Sequence, residues 1–175
     1  MADDPDRRGF LKVATCAIGG GVGLVTVAPA LRLVLGPSGE ITVTTPTDPL
    51  DVGSADRLRV GPDWRKVDVV APVVKDGWAS AHNVVLGAAW VRRPADNQLQ
   101  ALSAVCPHLG CAVGWDGKNF ICPCHDSRFT ADGDAIAGTG PAKRGLDPLP
   151  IEIKDGRLRV TWVRYKLDTA SREKA

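Results

Sequence analysis

After residue 60 no segment of this chain keeps a helical period, which sets aside a helix bundle as the main architecture. No internal repeat is present, so a repeat array is excluded. A surplus of one charge sign is missing too. The 22 Lys and Arg stand against 20 Asp and Glu, for a formal charge of +2, and no basic stripe is interleaved with aromatics. That removes nucleic acid from the expected partners. Histidine is scarce, three in all. Yet His108 and His125 fall among Cys106, Cys111, Cys122 and Cys124, four of the five cysteines. A scaffold held by disulfides alone would not need histidines there, whereas a metal site does.

What is present points to strands and turns. The 175 residues allow one ordinary domain plus an extra segment, and 44% apolar residues suffice for a core. The 19 Gly and 13 Pro concentrate around 36–62 and in the second half. Strand signals recur at Lys66–Val74, Asn83–Arg92, Leu99–Val105 and Phe120–Ile121. Leu149–Lys154 and Arg157–Val163 flank Asp155-Gly156, a two-residue hairpin signal. The expected class is all-β: an antiparallel β-sandwich or barrel head over 59–166, with a loop subdomain inserted at about 106–142. A polar tail, 167–175, is expected to fray.

The N-terminus reads differently. Residues 6–12 are DRRGFLK, and paired arginines followed by an apolar and a basic residue resemble a twin-arginine export signal. From Val13 to Leu31 no residue is charged. As a helix that stretch spans about 28 Å, close to the ~30 Å hydrocarbon thickness of a bilayer. A transmembrane helix is therefore expected over 13–35, with Arg32 snorkelling and Pro29 a point of kinking. Arg7, Arg8 and Lys12 precede it, which predicts a cytoplasmic N-terminus and a head on the outer, periplasmic side of a bacterial inner membrane. A competing reading removes the segment after Ala28-Pro29-Ala30, a small-x-small site. The retained anchor is favoured because the apolar run continues beyond that site. Cys16 reads as a small packing residue of this helix. Residues 36–58, rich in Gly, Pro, Ser, Thr and Asp, read as a flexible tether, with Ile41–Thr44 a short strand; the alternative is that they are the head's first strand and loops.

Two boxes carry the chemistry: Cys106-Pro107-His108-Leu109-Gly110-Cys111 and Cys122-Pro123-Cys124-His125-Asp126-Ser127. Each supplies one Cys and one His at ligand spacing, plus a further Cys. A four-coordinate zinc site is one reading. The other is a 2Fe–2S cluster in which two histidines replace two cysteines on one iron. Neutral imidazole in place of anionic thiolate makes an added electron less unfavourable and raises the potential. The extra cysteines, the prolines beside the ligands and the export signal favour iron.

The paired C-P-H-L-G-C and C-P-C-H-x-S boxes resemble those of Rieske proteins of cytochrome bc and bf complexes. The resemblance implies a Rieske-type head with one 2Fe–2S cluster, Cys106 and Cys122 on one iron, His108 and His125 on the other, and a disulfide between Cys111 and Cys124. It implies that Ser127 donates a hydrogen bond to a bridging sulfur. It implies too that Gly138-Thr139-Gly140-Pro141-Ala142 is a loop covering the cluster, and that Leu109 lies on the apolar rim that docks on cytochrome b. Phe129 stands where high-potential members carry a tyrosine, so a lower potential is expected, which fits a menaquinol donor. Asp126 stands where glycine is usual; its carboxylate either acts on His125 or points into solvent. His82 reads as an ordinary surface histidine.

The function implied is electron transfer within a quinol–cytochrome c oxidoreductase. His125 or His108 would meet quinol, with a cytochrome b subunit and a c-type cytochrome as partners in a dimeric membrane complex. The alternatives are the Rieske small subunit of a periplasmic molybdenum oxidoreductase such as arsenite oxidase, and a soluble ferredoxin of a ring-hydroxylating dioxygenase. The additional cysteine pair and the membrane segment speak against the ferredoxin.

Overall fold

The structure is a computed structural model, and it describes residues 5–34, 47–75 and 80–175. Two units are distinguished within it, the N-terminal helix and the head.

The described residues of the first unit form one helix, α1, Pro5–Val34. Its span Asp6–Arg32 is long and apolar enough to cross a membrane. It begins eight residues before the charge-free stretch, so Arg7, Arg8 and Lys12 lie on its first turns. Pro29 sits inside it and does not end it. The expected strand at Ile41–Thr44 and the tether from 36 to 46 lie outside the described residues.

Among the described residues the head has nine strands in chain order: β1 Leu50–Ser54, β2 Arg65–Lys75, β3 Ser80–Ala95, β4 Gln98–Ser103, β5 Gly114–Trp115, β6 Phe120–Ile121, β7 Arg128–Phe129, β8 Ile151–Lys154 and β9 Arg157–Val160. They form three antiparallel sheets, ordered β1-β9-β8, β2-β3-β4 and β5-β6-β7. The second sheet is the middle layer, because alternation along a strand serves two cores at once. On β3, Ala89 and Val91 enter the core shared with β1, β8 and β9, while Trp90 packs into the core beneath the loops. On β4, Ala101 enters the first core and Leu102 the second. The all-β sandwich with a loop subdomain is thus present, and the Asp155-Gly156 hairpin is the β8–β9 turn, with φ of 52° and 70° at its two residues.

Two expected boundaries are corrected. The head begins by Leu50, not at 59. Leu50, Ala55 and Leu58 are buried in the first core, and β1 pairs with β9. A Gly-, Ser- and Asp-rich stretch looks like linker, but three apolar residues at suitable spacing are enough to seat it. Residues 167–175 do not fray. Tyr165 bridges Lys174, Lys166 N–H donates to the Glu173 carbonyl at 2.8 Å, and Ala175 N–H donates to the Arg164 carbonyl at 2.9 Å. Backbone pairing holds this segment, and backbone pairing leaves no mark in side-chain polarity.

Candidate cluster site

Both boxes fold into the same knuckle. In the first, Cys106 N–H donates to the Cys111 carbonyl at 2.8 Å, and Gly110, at φ 83°, donates back to the Cys106 carbonyl at 2.9 Å. In the second, Cys122 N–H donates to the Ser127 carbonyl at 2.9 Å. The strands β5, β6 and β7, of two residues each, present these knuckles side by side. Cys111 and Cys124 form a disulfide with Cα atoms 6.5 Å apart, joining the two loops.

The remaining members of each box converge. His108 and His125 lie with ring centroids 4.9 Å apart in an edge-to-face arrangement, close enough for one ion to lie between a nitrogen of each. His108 is half-buried and His125 exposed. Cys106 and Cys122 are free thiols, 1% and 2% exposed. Burial, and after it the adjoining Cys122 thiol, push the Cys106 thiol up to about 11. Two neighbouring buried thiols ionise only when a cation compensates them, so the donor set is that of a metal centre. The sulfurs of Cys111, Cys122 and Cys124 lie within 4.8 Å of one another, but two of these are spent in the disulfide and cannot be ligands.

Ser127 is 1% exposed. Its Oγ accepts a hydrogen bond from Ala142 N–H at 3.2 Å, and among the described residues its own proton has no assigned acceptor. A hydroxyl so placed is free to donate to a cluster sulfur. Phe129, 0% exposed, packs on β7 opposite Phe120 and carries no donor. Gly140 has φ 52°, and a Cβ there would run into Ser127 N, Ser127 Oγ and the His125 carbonyl. Only glycine lets the 138–142 loop lie this close to the second box. Pro141 follows it, exposed. Thr139 Oγ1 accepts from Arg128 N–H at 3.1 Å and donates to the Ile136 carbonyl at 2.7 Å, tying the same loop down. Leu109 is 59% exposed beside His108. Asp126 points into solvent, where its carboxylate pairs with Arg128 at 3.1 Å; its φ of 53° explains why glycine suits that position. His82 lies on the exposed first residues of β3, away from both boxes in sequence.

Several contributors were not read from the sequence. Trp64 and Trp90 meet Phe120 at 5.4 and 5.7 Å between ring centroids. Their indole N–H groups donate to the Ala131 and Val113 carbonyls at 2.9 and 3.0 Å. Arg92 lies 4.5 Å above the Trp64 ring and pairs with Asp132. These contacts fasten the loop subdomain to the middle sheet. They join residues far apart in sequence, so no local spacing announces them.

An all-β head with two Cys/His knuckles defines an iron–sulfur protein of the mixed-ligand class. Residues 64–152 match the family model of the Rieske [2Fe–2S] domain, and the chain belongs to that family. It holds one Rieske 2Fe–2S cluster. It is 34% identical over 157 residues to the menaquinol:cytochrome c reductase iron–sulfur subunit of Geobacillus thermodenitrificans, covering 87% of this chain and 88% of that one. The protein of the same name from Bacillus subtilis (strain 168) is 35% identical over 160 residues, covering 89% and 90%. The cytochrome b6-f complex iron–sulfur subunit of Chlorobaculum tepidum is 30% identical over 162 residues, covering 90% and 76%.

Proposed function

We propose that this chain is the electron-carrying iron–sulfur subunit of a membrane quinol–cytochrome c oxidoreductase, with Cys106 and Cys122 on one iron and His108 and His125 on the other. The approach of the two imidazoles, 4.9 Å apart with His125 open to solvent, carries the reading. When bound, the cluster supplies a one-electron couple. His125 accepts a hydrogen bond from quinol at its exposed edge and takes the proton released on oxidation. Leu109 offers an apolar contact to the surface of a cytochrome b subunit. The Ser127 hydroxyl, held by Ala142 N–H, would donate a hydrogen bond to a sulfur of the cluster and so favour its reduced form. Packing with Val113, Phe120, Phe129 and Leu146 keeps water from the buried Cys106 and Cys122.

Helix α1 anchors the head in a membrane, and cytochrome b and c partners complete the complex. The close relatives belong to such complexes, which favours this reading over a molybdenum oxidoreductase subunit. Their names and the missing hydroxyl at Phe129 support menaquinol as donor. DRRGFLK acts as the export signal, Arg7, Arg8 and Lys12 keep the N-terminus cytoplasmic, and the head faces outward from the bacterial inner membrane. The complex is dimeric, by its resemblance to bc assemblies.

EPR of reduced membranes tests the ligand set. A rhombic signal of low average g is expected; a silent sample with stoichiometric zinc overturns the proposal. Purification tests the partners. Recovery with b- and c-type haem subunits is expected, and recovery with a molybdopterin subunit refutes it.

A further inference from the structure

The disulfide grips the first box only at its far end, Cys111. Pro107, between Cys106 and His108, is fully buried and has no N–H, so its carbonyl is the one backbone hydrogen-bonding group there by which the loop can be held. That carbonyl accepts from Asp168 N–H at 2.9 Å. Asp168 sits at φ 55°, a conformation its surroundings must enforce. Leu167 beside it lies against Gly110, its Cδ1 3.3 Å from where a Gly110 Cβ would be.

The 143–147 stretch, just after the cluster-covering loop, grips the same turn. Arg144, whose side chain is 4% exposed, donates to the Thr169 carbonyl at 2.7 Å and the Lys166 carbonyl at 3.0 Å. It is itself locked by Asp147 through bonds of 2.9 and 2.8 Å. Lys143 Nζ reaches the Asp168 carbonyl and carboxylate, each at 3.1 Å. A buried guanidinium with five N–H groups suits this task, since carbonyls lie around it in its plane's reach.

We infer that residues 166–169 are a clasp which, gripped by Arg144 and Lys143, holds the His108 loop through the Pro107 carbonyl as a second cross-link parallel to the disulfide. These are positioning residues: they act on the loop that bears Cys106 and His108, and touch neither thiol nor imidazole in any described contact. The inference rests on those two residues being ligands, as proposed above.

Parallel cross-links are non-additive, and that gives the test. The full-length chain and a chain stopped after Tyr165 are compared in their native membranes, with and without dithiothreitol, by the EPR amplitude and g values of the reduced protein. The shortened chain keeps both Arg144 and Asp147, which lie outside the removed segment. Without dithiothreitol the shortened chain should keep its signal with shifted g values, because the His108 loop relaxes. With dithiothreitol its signal should decay about tenfold faster than that of the full chain, the scale of one or two lost hydrogen bonds. Equal decay and unchanged g values overturn the clasp. If the shortened chain does not accumulate, Lys143→Met combined with Leu167→Ala decides, with a smaller acceleration expected and Lys143→Arg restoring the full-chain rate. Asp51→Asn, at the distant β1–β9 pair, should leave decay unchanged; matching acceleration there would reduce the effect to general stability and end the inference. Absence of the signal in the full chain would instead defeat the cluster reading itself.

Discussion

The core beneath β1, β8 and β9 is filled by Val69, Ala71, Ala89, Val91, Leu158 and Val160, carried on strands of up to sixteen residues. The core beneath the cluster loops is filled by Trp64, Phe120, Phe129, Cys106 and Cys122, carried in part on strands of two residues. In the first region many equivalent ladder bonds and aliphatic contacts share the load, so no one residue decides. In the second, regular pairing is almost gone. Position is set by single devices: one disulfide, one glycine at φ 52°, one serine hydroxyl, one buried Arg144–Asp147 pair. Substitutions should therefore be graded in the sheets and sharp in the loops.

The largest contrast is expected from Cys122→Ser. The EPR signal of the cluster should vanish while the far-UV strand signature of the head persists; simultaneous loss of both would mean that the sheets depend on the cluster. Next come two glycines. Gly140→Ala drives a Cβ into backbone atoms of Ser127 and His125 and should cost about 2–4 kcal/mol in stability. Gly87→Ala meets only the edge of the buried Trp162 indole, a side chain and not backbone, and should cost ~1–3 kcal/mol. Denaturant midpoints in which Gly87→Ala is the worse of the two would reverse the comparison.

Phe129→Tyr adds a donor on β7 and should raise the midpoint by about 59 mV, one tenfold step for a single electron, if its hydroxyl bonds a cysteine sulfur. An unmoved redox titration curve would remove that argument. Asp126→Gly relieves a left-handed aspartate and forfeits an exposed ion pair, for a net gain of ~0.5 kcal/mol in thermal unfolding. The smallest effect belongs to the sheets. Hydrogen bonding from Arg157 holds the Asp51 carboxyl below the ordinary carboxylate range. Its contribution is complete above the unfolded value of about 3.9 and disappears as pH falls through the lowered folded value. Asp51→Asn should thus cost under ~1 kcal/mol near neutrality and nothing once both forms are protonated. A gap that widens in acid would contradict the assignment.

The ligand boxes, the hairpin at Asp155-Gly156 and the apolar span were legible because each is a local pattern. Each box sets its Cys and His two or three residues apart, the knuckle turns close within five residues, and the β8–β9 turn needs its two residues adjacent. The head's start at Leu50 was legible only as the alternative to a tether, since three buried apolar residues hide in a linker-like composition. Nor was the packing of 164–175, whose polar side chains disguise backbone pairing. The role of Arg144 was equally hidden, because an arginine among Lys143, Gly145 and Asp147 looks like solvated surface until Thr169 and Lys166 close over it.

Local order along the chain set two cysteines and two histidines at metal-ligand spacing, an apolar span long enough for a bilayer and a head built of strands, because spacing and periodicity are properties of neighbours. Folding decided which thiols became a disulfide and which stayed free, how near the two imidazoles came, and what pins the ligand loops. Those outcomes depend on the distance between groups remote in sequence, and only packing in three dimensions sets that distance.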